Sequence, residues 1–332
     1  MFELADTDRI SDIQLSDIVL ASQQIYSYAK KTPTIYSERL SHTLADGATV
    51  HLKLENLQQI GAFKVRGAAH AIQSLSDEER NKGVTTFSTG NHGLAVAYVA
   101  KQMGIRAVIC ISNDVPNSKV AAIARTGAEI ERVGHSQDEA EALCRQLNEE
   151  QGLTIIQPFD HPHVIAGQGT IGLELLEDVP HLDTVVVPLS GGGLIAGIAL
   201  VMKSCGRNIR VVGVSMESGA AMYESIRRGK PTLVNETATL ADSLRGGIGL
   251  DNRYTFPIVQ SLVDEIVLVP EVEIQRGMQF MLKEHGMVVE GAAATGVGAI
   301  LNRQIRNFGK HAVVIISGKN VDEGVLQHLV QG

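Results

Sequence analysis

Cysteine is scarce in this chain and tryptophan is absent. The three cysteines, Cys110, Cys144 and Cys205, stand far apart. No CxxC pair offers a zinc or redox site, and an odd, scattered set implies no disulfide framework. A reducing, cytoplasmic location is therefore expected. Aromatic residues make up only 4% of the chain against 33 glycines, which favours tight turns and close backbone approaches over large aromatic pockets. Positive charge is also short. The formal net charge is −8, so no general affinity for nucleic acid or an anionic membrane surface is expected. No apolar run approaches a membrane span. Met1 to Asp17 is too polar and acidic for a secretory or transit peptide. Repeats and low-complexity tracts are missing too. What is left is a 332-residue chain, 44% hydrophobic and 20% charged, long enough for one large or two modest globular domains.

Short β-branched runs alternate with helical patterns along its whole length. Strands are expected at Val50–Glu55, Val84–Phe87, Ala107–Ile111, Ala128–Val133, Thr154–Gln157, Thr184–Pro188, Ile209–Ser215, Glu265–Pro270 and Ala312–Ser317. Several are apolar on both faces, as buried parallel strands are. Between them, Gln137–Gly152 puts Ala140, Leu143, Cys144 and Leu147 on one helical face, with acidic residues in the first turn and Gly152 at the stop. The alternation predicts an α/β fold with parallel sheets. No linker of Pro or Ser divides it. A smaller unit at 84–156 is expected as an insertion in a larger one formed by 1–83 and 157–332.

Three loops then draw attention, each at the carboxyl end of an expected strand, where open α/β sheets bind ligands. Ser190-Gly191-Gly192-Gly193-Leu194 leads into a helical run and reads as a phosphate cradle. Gly191-x-Gly193-x-x-Ala196 also matches a dinucleotide fingerprint, with Glu217 near the place of its acidic residue. On this segment alone a dinucleotide and a simple phosphate cofactor stand level. Ser88-Thr89-Gly90-Asn91-His92-Gly93 offers hydroxyls and N–H groups that could hold a carboxylate, although capping of the next helix is the simpler reading. Ser317-Gly318-Lys319-Asn320 ends the last strand.

Lys64 stands beside Phe63 and among small residues at the head of an apolar helical run. Desolvation there would free its amine as a nucleophile. By physics alone an ordinary surface lysine is the stronger reading. The surrounding segment, Glu55-Asn56-Leu57-Gln58 through Gly61-Ala62-Phe63-Lys64-Val65-Arg66-Gly67-Ala68, resembles the ENLQ…GSFKxRGA motif of fold-type II pyridoxal-phosphate enzymes, in the threonine dehydratase and serine racemase group. The resemblance runs from Lys31-Thr32-Pro33 to Ser317-Gly318-Lys319-Asn320-Val321 with its motifs in the family's order. It implies two open parallel-sheet domains of the tryptophan synthase β-like kind, pyridoxal 5'-phosphate as cofactor, a small amino-acid substrate and a homodimer.

Carried over position by position, the resemblance gives Lys64 the cofactor aldehyde and Phe63 a place beside the ring. Asn91 would bond the phenolic oxygen, and Gly191, Gly192, Gly193 and Leu194 the phosphate. Ser317 would face the pyridine nitrogen, with Glu290 near the cofactor. Ser88, Thr89, Asn91 and His92 would hold the substrate carboxylate. The reaction implied is β-elimination from a threonine- or serine-like β-hydroxy amino acid to a 2-oxo acid and ammonia. A hydroxyl at Ser317 enforces no full pyridinium, which favours elimination over transamination.

Thr89 keeps a hydroxyl where racemase-like members carry serine, so racemase side activity is an expectation to test. Ser215 and Ala221 replace the residues that bind a divalent cation in many members, and no metal is expected. Lys319 replaces a usual glycine. The block from Thr239 to Phe256 looks like the hydroxyectoine-utilisation branch of the family, which opens the choice of substrate. Arg245 or Arg253 could meet the extra carboxylate of a 3-hydroxyaspartate, though either could be a surface arginine. The chain ends at Gly332 with no room for a regulatory domain, so no feedback control is expected. Two rivals stand beside the lyase reading. Cysteine-synthase-like β-replacement is disfavoured by Asn91-His92-Gly93, where Asn-Thr-Gly is usual. A non-catalytic pyridoxal-phosphate carrier or amino-acid sensor is disfavoured by the intact Lys64 and Ser317.

Overall fold

The computed structural model describes residues 12–331 apart from residues 45, 46, 89 and 116. Most of the polar segment from Met1 to Asp17, and Thr89, thus lie outside the described residues. Strands are β1 (Thr34–Tyr36), β2 (Thr49–Lys53), β3 (Val84–Thr86), β4 (Ala107–Ile111), β5 (Glu129–Arg132), β6 (Thr154–Ile155), β7 (Thr184–Pro188), β8 (Arg210–Met216), β9 (Glu265–Val269) and β10 (His311–Ile315). They form two sheets among the described residues. One has six strands in the order β1-β2-β10-β7-β8-β9, the other four in the order β5-β4-β3-β6. All pairings are parallel except β1 with β2. The antiparallel edge strand β1 is not legible in the sequence, since three residues behind Pro33 carry no period.

The strands β7 and β4 are buried along their whole length, as apolar runs without alternation require. Two apolar layers cover the larger sheet. On one face the helices Leu15–Gln24, Pro162–Asp178, Gly193–Ser204 and Thr255–Leu262 enclose Ile18, Ile171, Ile198 and Ile258. On the other, Glu271–His285 and Gly291–Leu301 enclose Met278, Met281 and Val297. Gln137–Gln151 covers the smaller sheet from one side with Ala140, Cys144 and Leu147, starting at a Ser136–Glu139 capping box and stopping at left-handed Gly152. On the opposite side Asn91–Met103 lies together with Lys64–Gln73. Their Val65, Ala69, Ile72, Val96 and Val99 join Val84 and Ile109 of the sheet in one core.

The helix that starts at Lys64 therefore packs against the four-stranded sheet while the two residues just ahead of it are tied to the end of the six-stranded one. Ala62 forms a bridge with Gly318, and the N–H of Phe63 donates to the Ser317 carbonyl at 3.0 Å. The carboxyl ends of β7 and β10, and the loop after β3, open toward the same space.

Candidate active site

Lys64 is the first residue of its helix. The side chain is half-buried, and its Nζ donates to the Pro158 carbonyl at 2.6 Å and sits 5.4 Å from the centroid of the Phe63 ring. Burial pushes the amine down to about 8, against an upward pull from Glu290. The ordinary surface lysine, the stronger reading by physics alone, is not what stands here: the side chain is half-buried and bonded to main chain.

The phosphate-cradle loop is built as strand, glycine turn and helix. β7 ends at Pro188, Gly192 adopts φ +90° at the helix N-cap, and no side chain caps the helix Gly193–Ser204. A Cβ on Gly191 would stand 2.4 Å from the Phe159 ring. The chain must therefore be bare here, and the first N–H groups of the helix, without a side-chain cap, are of the kind that can take an anion. Glu217, which a dinucleotide ribose would need, is exposed and absent from the cavity wall.

Beyond β3, the helix Asn91–Met103 takes Gly90 as its N-cap, so Asn91 does not cap it. Its side chain turns the other way. Asn91 Nδ2 donates to Glu290 Oε2 at 2.9 Å, and Asn320 Nδ2 donates to Asn91 Oδ1 at 2.7 Å. Ser243 Oγ donates to Glu290 Oε1 at 3.0 Å. Glu290 is buried, and burial pushes its carboxyl up to about 7 with help from Asp242. Asn91, Ser243 and the Asn320 backbone pull it back. His92 is also buried. Its Nε2 faces the Ile156 carbonyl at 2.9 Å, and a carbonyl can only accept, so Nε2 carries the proton. Burial and nearby Lys64 push this imidazole down to about 3, so it is neutral.

These groups share one cavity of about 920 Å³. Phe63, Lys64, Ser88, Asn91, His92, Gly191, Gly192, Gly193, Leu194, Glu290 and Ser317 all line it. Ser317 is buried. Lys319 is exposed and absent from the cavity wall; its N–H donates to the Gly61 carbonyl and its own carbonyl accepts from the Val321 N–H, each at 2.9 Å. Arg245 and Arg253 both reach the wall, the first paired to Glu236 at 3.2 Å, the second lying over the Tyr254 ring at 5.4 Å. Sequence reasoning missed the segment Pro158–Asp160. Phe159 lies under the glycine turn, and Asp160 accepts from the N–H groups of Arg253, Tyr254 and Thr255. Its place after β6 was the available signal. Ser243 was missed as well, because nothing in the sequence pairs it with Glu290.

The model of the family described as pyridoxal-phosphate dependent enzyme matches residues 25–318. The chain belongs to that family. It is a fold-type II member of the threonine/serine dehydratase group, a pyridoxal-phosphate-dependent lyase. An L-threonine ammonia-lyase of Thermotoga maritima is 40% identical over 96% of this chain and 78% of its own length. An L-threo-3-hydroxyaspartate ammonia-lyase of Saccharomyces cerevisiae is 41% identical over 95% and 96%. The solved structure of maize serine racemase matches with a TM-score of 0.91 at 35% identity, over 97% of this chain and 98% of that one. The cavity of this pyridoxal-phosphate enzyme fits its cofactor. A depressed lysine amine stands in the same space as a side-chain-free helix start that can take a phosphate. No helix of the described residues is long and apolar enough to cross a membrane.

Proposed function

We propose that the enzyme eliminates the hydroxyl from a small β-hydroxy amino acid of the threonine or serine kind, giving a 2-oxo acid and ammonia. The observation that carries this reading is the convergence of the Lys64 amine, the glycine turn and the Ser88–Gly93 loop on one cavity. Bound pyridoxal phosphate supplies the electron sink that loosens the bonds at the substrate's Cα and Cβ. Every other task falls to the chain. Lys64 Nζ would hold the aldehyde and, once the substrate's amine has displaced it and left it free, would take the substrate's α-proton, for which an amine near pKa 8 is suited. The N–H groups of Gly191, Gly192, Gly193 and Leu194 hold the phosphate, Phe63 flanks the ring and Asn91 holds the phenolic oxygen. Ser317 meets the ring nitrogen with a hydroxyl, which accepts or donates without fixing a charge. Ser88 and the main-chain N–H groups of Asn91 and His92 hold the substrate carboxylate, since the His92 ring is engaged with Ile156. Thr89 would, by the family resemblance, serve the opposite face. Glu290, half-ionised near neutrality, orients Asn91.

The test is a 2-oxo acid assay over threonine, serine, both 3-hydroxyaspartates and hydroxyectoine-derived compounds. Turnover of threonine or serine supports the reading; turnover of none of them overturns it. A second reading, elimination from 3-hydroxyaspartate, is favoured by Arg253 in the cavity wall and by the yeast relative's name. Assignment to the hydroxyectoine-utilisation branch rests on the 239–256 block together with Ser215-Met216-Glu217 and Gly167-Gln168-Gly169-Thr170-Ile171-Gly172. Serine racemase-like inversion rests on Thr89 and on the maize serine racemase match. A homodimer and a cytoplasmic location belong to the same proposal, the latter supported by buried, unbridged Cys110 and Cys144. So does the division into 1–83 with 157–332 and an inserted 84–156, supported by a second sheet drawn entirely from β3 to β6.

A further inference from the structure

A network of buried charge lies behind Lys64. Arg66 and Lys53 are fully buried, and so are Glu55 and Glu174. Arg66 grips Glu55 with Nε at 2.8 Å and Nη2 at 2.7 Å, and Glu174 with Nη1 at 2.6 Å and Nη2 at 3.0 Å. Nη1 also donates to Thr170 Oγ1 at 3.1 Å, and Nη2 to the Lys30 carbonyl at 3.1 Å. Lys53 adds bonds to Glu174 at 2.7 Å and Asp178 at 3.0 Å, and Tyr26 donates to Glu174 at 2.7 Å. Burying such a set gains little stability over a well-packed apolar one, so its value has to be sought in what it fixes.

What it fixes is a rotation. Two residues along a helix are about 200° apart, so Arg66 leaves the helix on the side away from Lys64. Glu174 and Thr170 belong to the helix Pro162–Asp178, and Lys64 Nζ bonds Pro158 just ahead of that same helix. The two helices touch by backbone. A Cβ on Gly167 would lie 2.7 Å from the Gly67 Cα and 2.6 Å from the Arg66 carbonyl. Bare backbone contact lets the helices turn against each other, and the doubly forked guanidinium removes that freedom. A lysine amine stands ~8 Å off its helix axis, so a turn of ~15° displaces it by ~2 Å. An error of about half that size already costs about 10²-fold in rate.

We propose that Arg66 is a positioning residue: held between Glu55 and Glu174, it sets the rotation of the Lys64 helix and so places the Lys64 amine in the cavity. This rests on Lys64 being the cofactor lysine. The test uses the full chain loaded with pyridoxal phosphate, in wild type, Arg66→Lys and Thr170→Val. Borohydride fixes cofactor to its lysine, and peptide mass counts the fraction on Lys64 as cofactor concentration and pH are varied. Circular dichroism and a thermal melt report the fold. Arg66→Lys is expected to fold, to need about tenfold more cofactor for half fixation, and to shift the pH midpoint upward. Thr170→Val is expected to move both readouts the same way by about twofold. Folded variants with fixation curves superimposable on wild type, altered only in melting, would overturn the proposal. If Arg66→Lys does not fold, Thr170→Val decides by the same criterion. Failure of the wild type to fix cofactor at Lys64 would sink the reading beneath the proposal, which is a different result.

Discussion

Burial drives Lys64 and Glu290 toward each other on the pH scale, the amine down to about 8 and the carboxyl up to about 7. Each therefore exchanges protons near neutrality, which is where a base and its partner are useful. The same shift has a cost in stability. Between its ordinary pKa of 4.5 and about 7 the folded Glu290 keeps a proton that the unfolded chain has lost, so stability falls as pH rises through that window. Replacing Glu290 by Gln removes the cost. Urea unfolding at pH 5 and pH 8, in a matched cofactor state, is expected to show Glu290→Gln gaining on wild type by about 2–3 kcal/mol at the higher pH. Equal differences at the two pH values would show that Glu290 ionises normally. At Lys64 the residue-scale prediction is simpler: Lys64→Ala loses 2-oxo acid formation by at least ~10³-fold while its melting point stays within a few degrees of wild type.

At the scale of elements, the strand–turn–helix around Gly192 is the proposed seat of the cofactor's anion. Gly192→Ala forces a side chain into φ +90°, at a cost of about 1–3 kcal/mol, and crowds Met222 and Thr255. Equilibrium dialysis should show weaker pyridoxal-phosphate binding by about tenfold or more; unchanged affinity would move the phosphate elsewhere. A second element-scale prediction concerns the contact between the Lys64 helix and the Pro162–Asp178 segment. His70 meets His163 edge-on at 5.3 Å, and His163 meets His161 at 5.4 Å. Burial and neighbouring imidazoles push His70 down to about 4, with Asp17 opposing, and lower His161 as well. Burial lowers His163. The unfolded chain binds protons here that the folded one refuses. Stability is whole above the ordinary histidine range and is lost as pH falls from about 6.5 toward 4. His70→Gln should flatten that loss by on the order of 2 kcal/mol in chemical unfolding between pH 7 and pH 4.5, and an unchanged slope would remove His70 from the account.

Across the whole molecule, the cavity is made where two sheets face each other through loops at strand ends. Those loops were legible because each follows an apolar run and begins a helix, and because Lys64, Asn91, Gly192 and Ser317 come in a familiar order. The edge strand β1 was not, since three residues beside Pro33 show no period. The turn of Asn91 away from its own helix toward Glu290, and the capture of Asp160 by the 253–255 backbone, join positions from about 90 to 200 residues apart. Pattern along the chain holds no record of such pairs. The buried Arg66 set was hidden for a related reason: a charged residue in a helical run reads as surface until its partners are seen.

The central claim is that Lys64 carries pyridoxal phosphate in this cavity. An absorption spectrum of cofactor-saturated protein tests it most directly. The account predicts a band near the visible edge for the wild type that Lys64→Ala lacks; a wild type without the band, or a variant that keeps it, would contradict the claim.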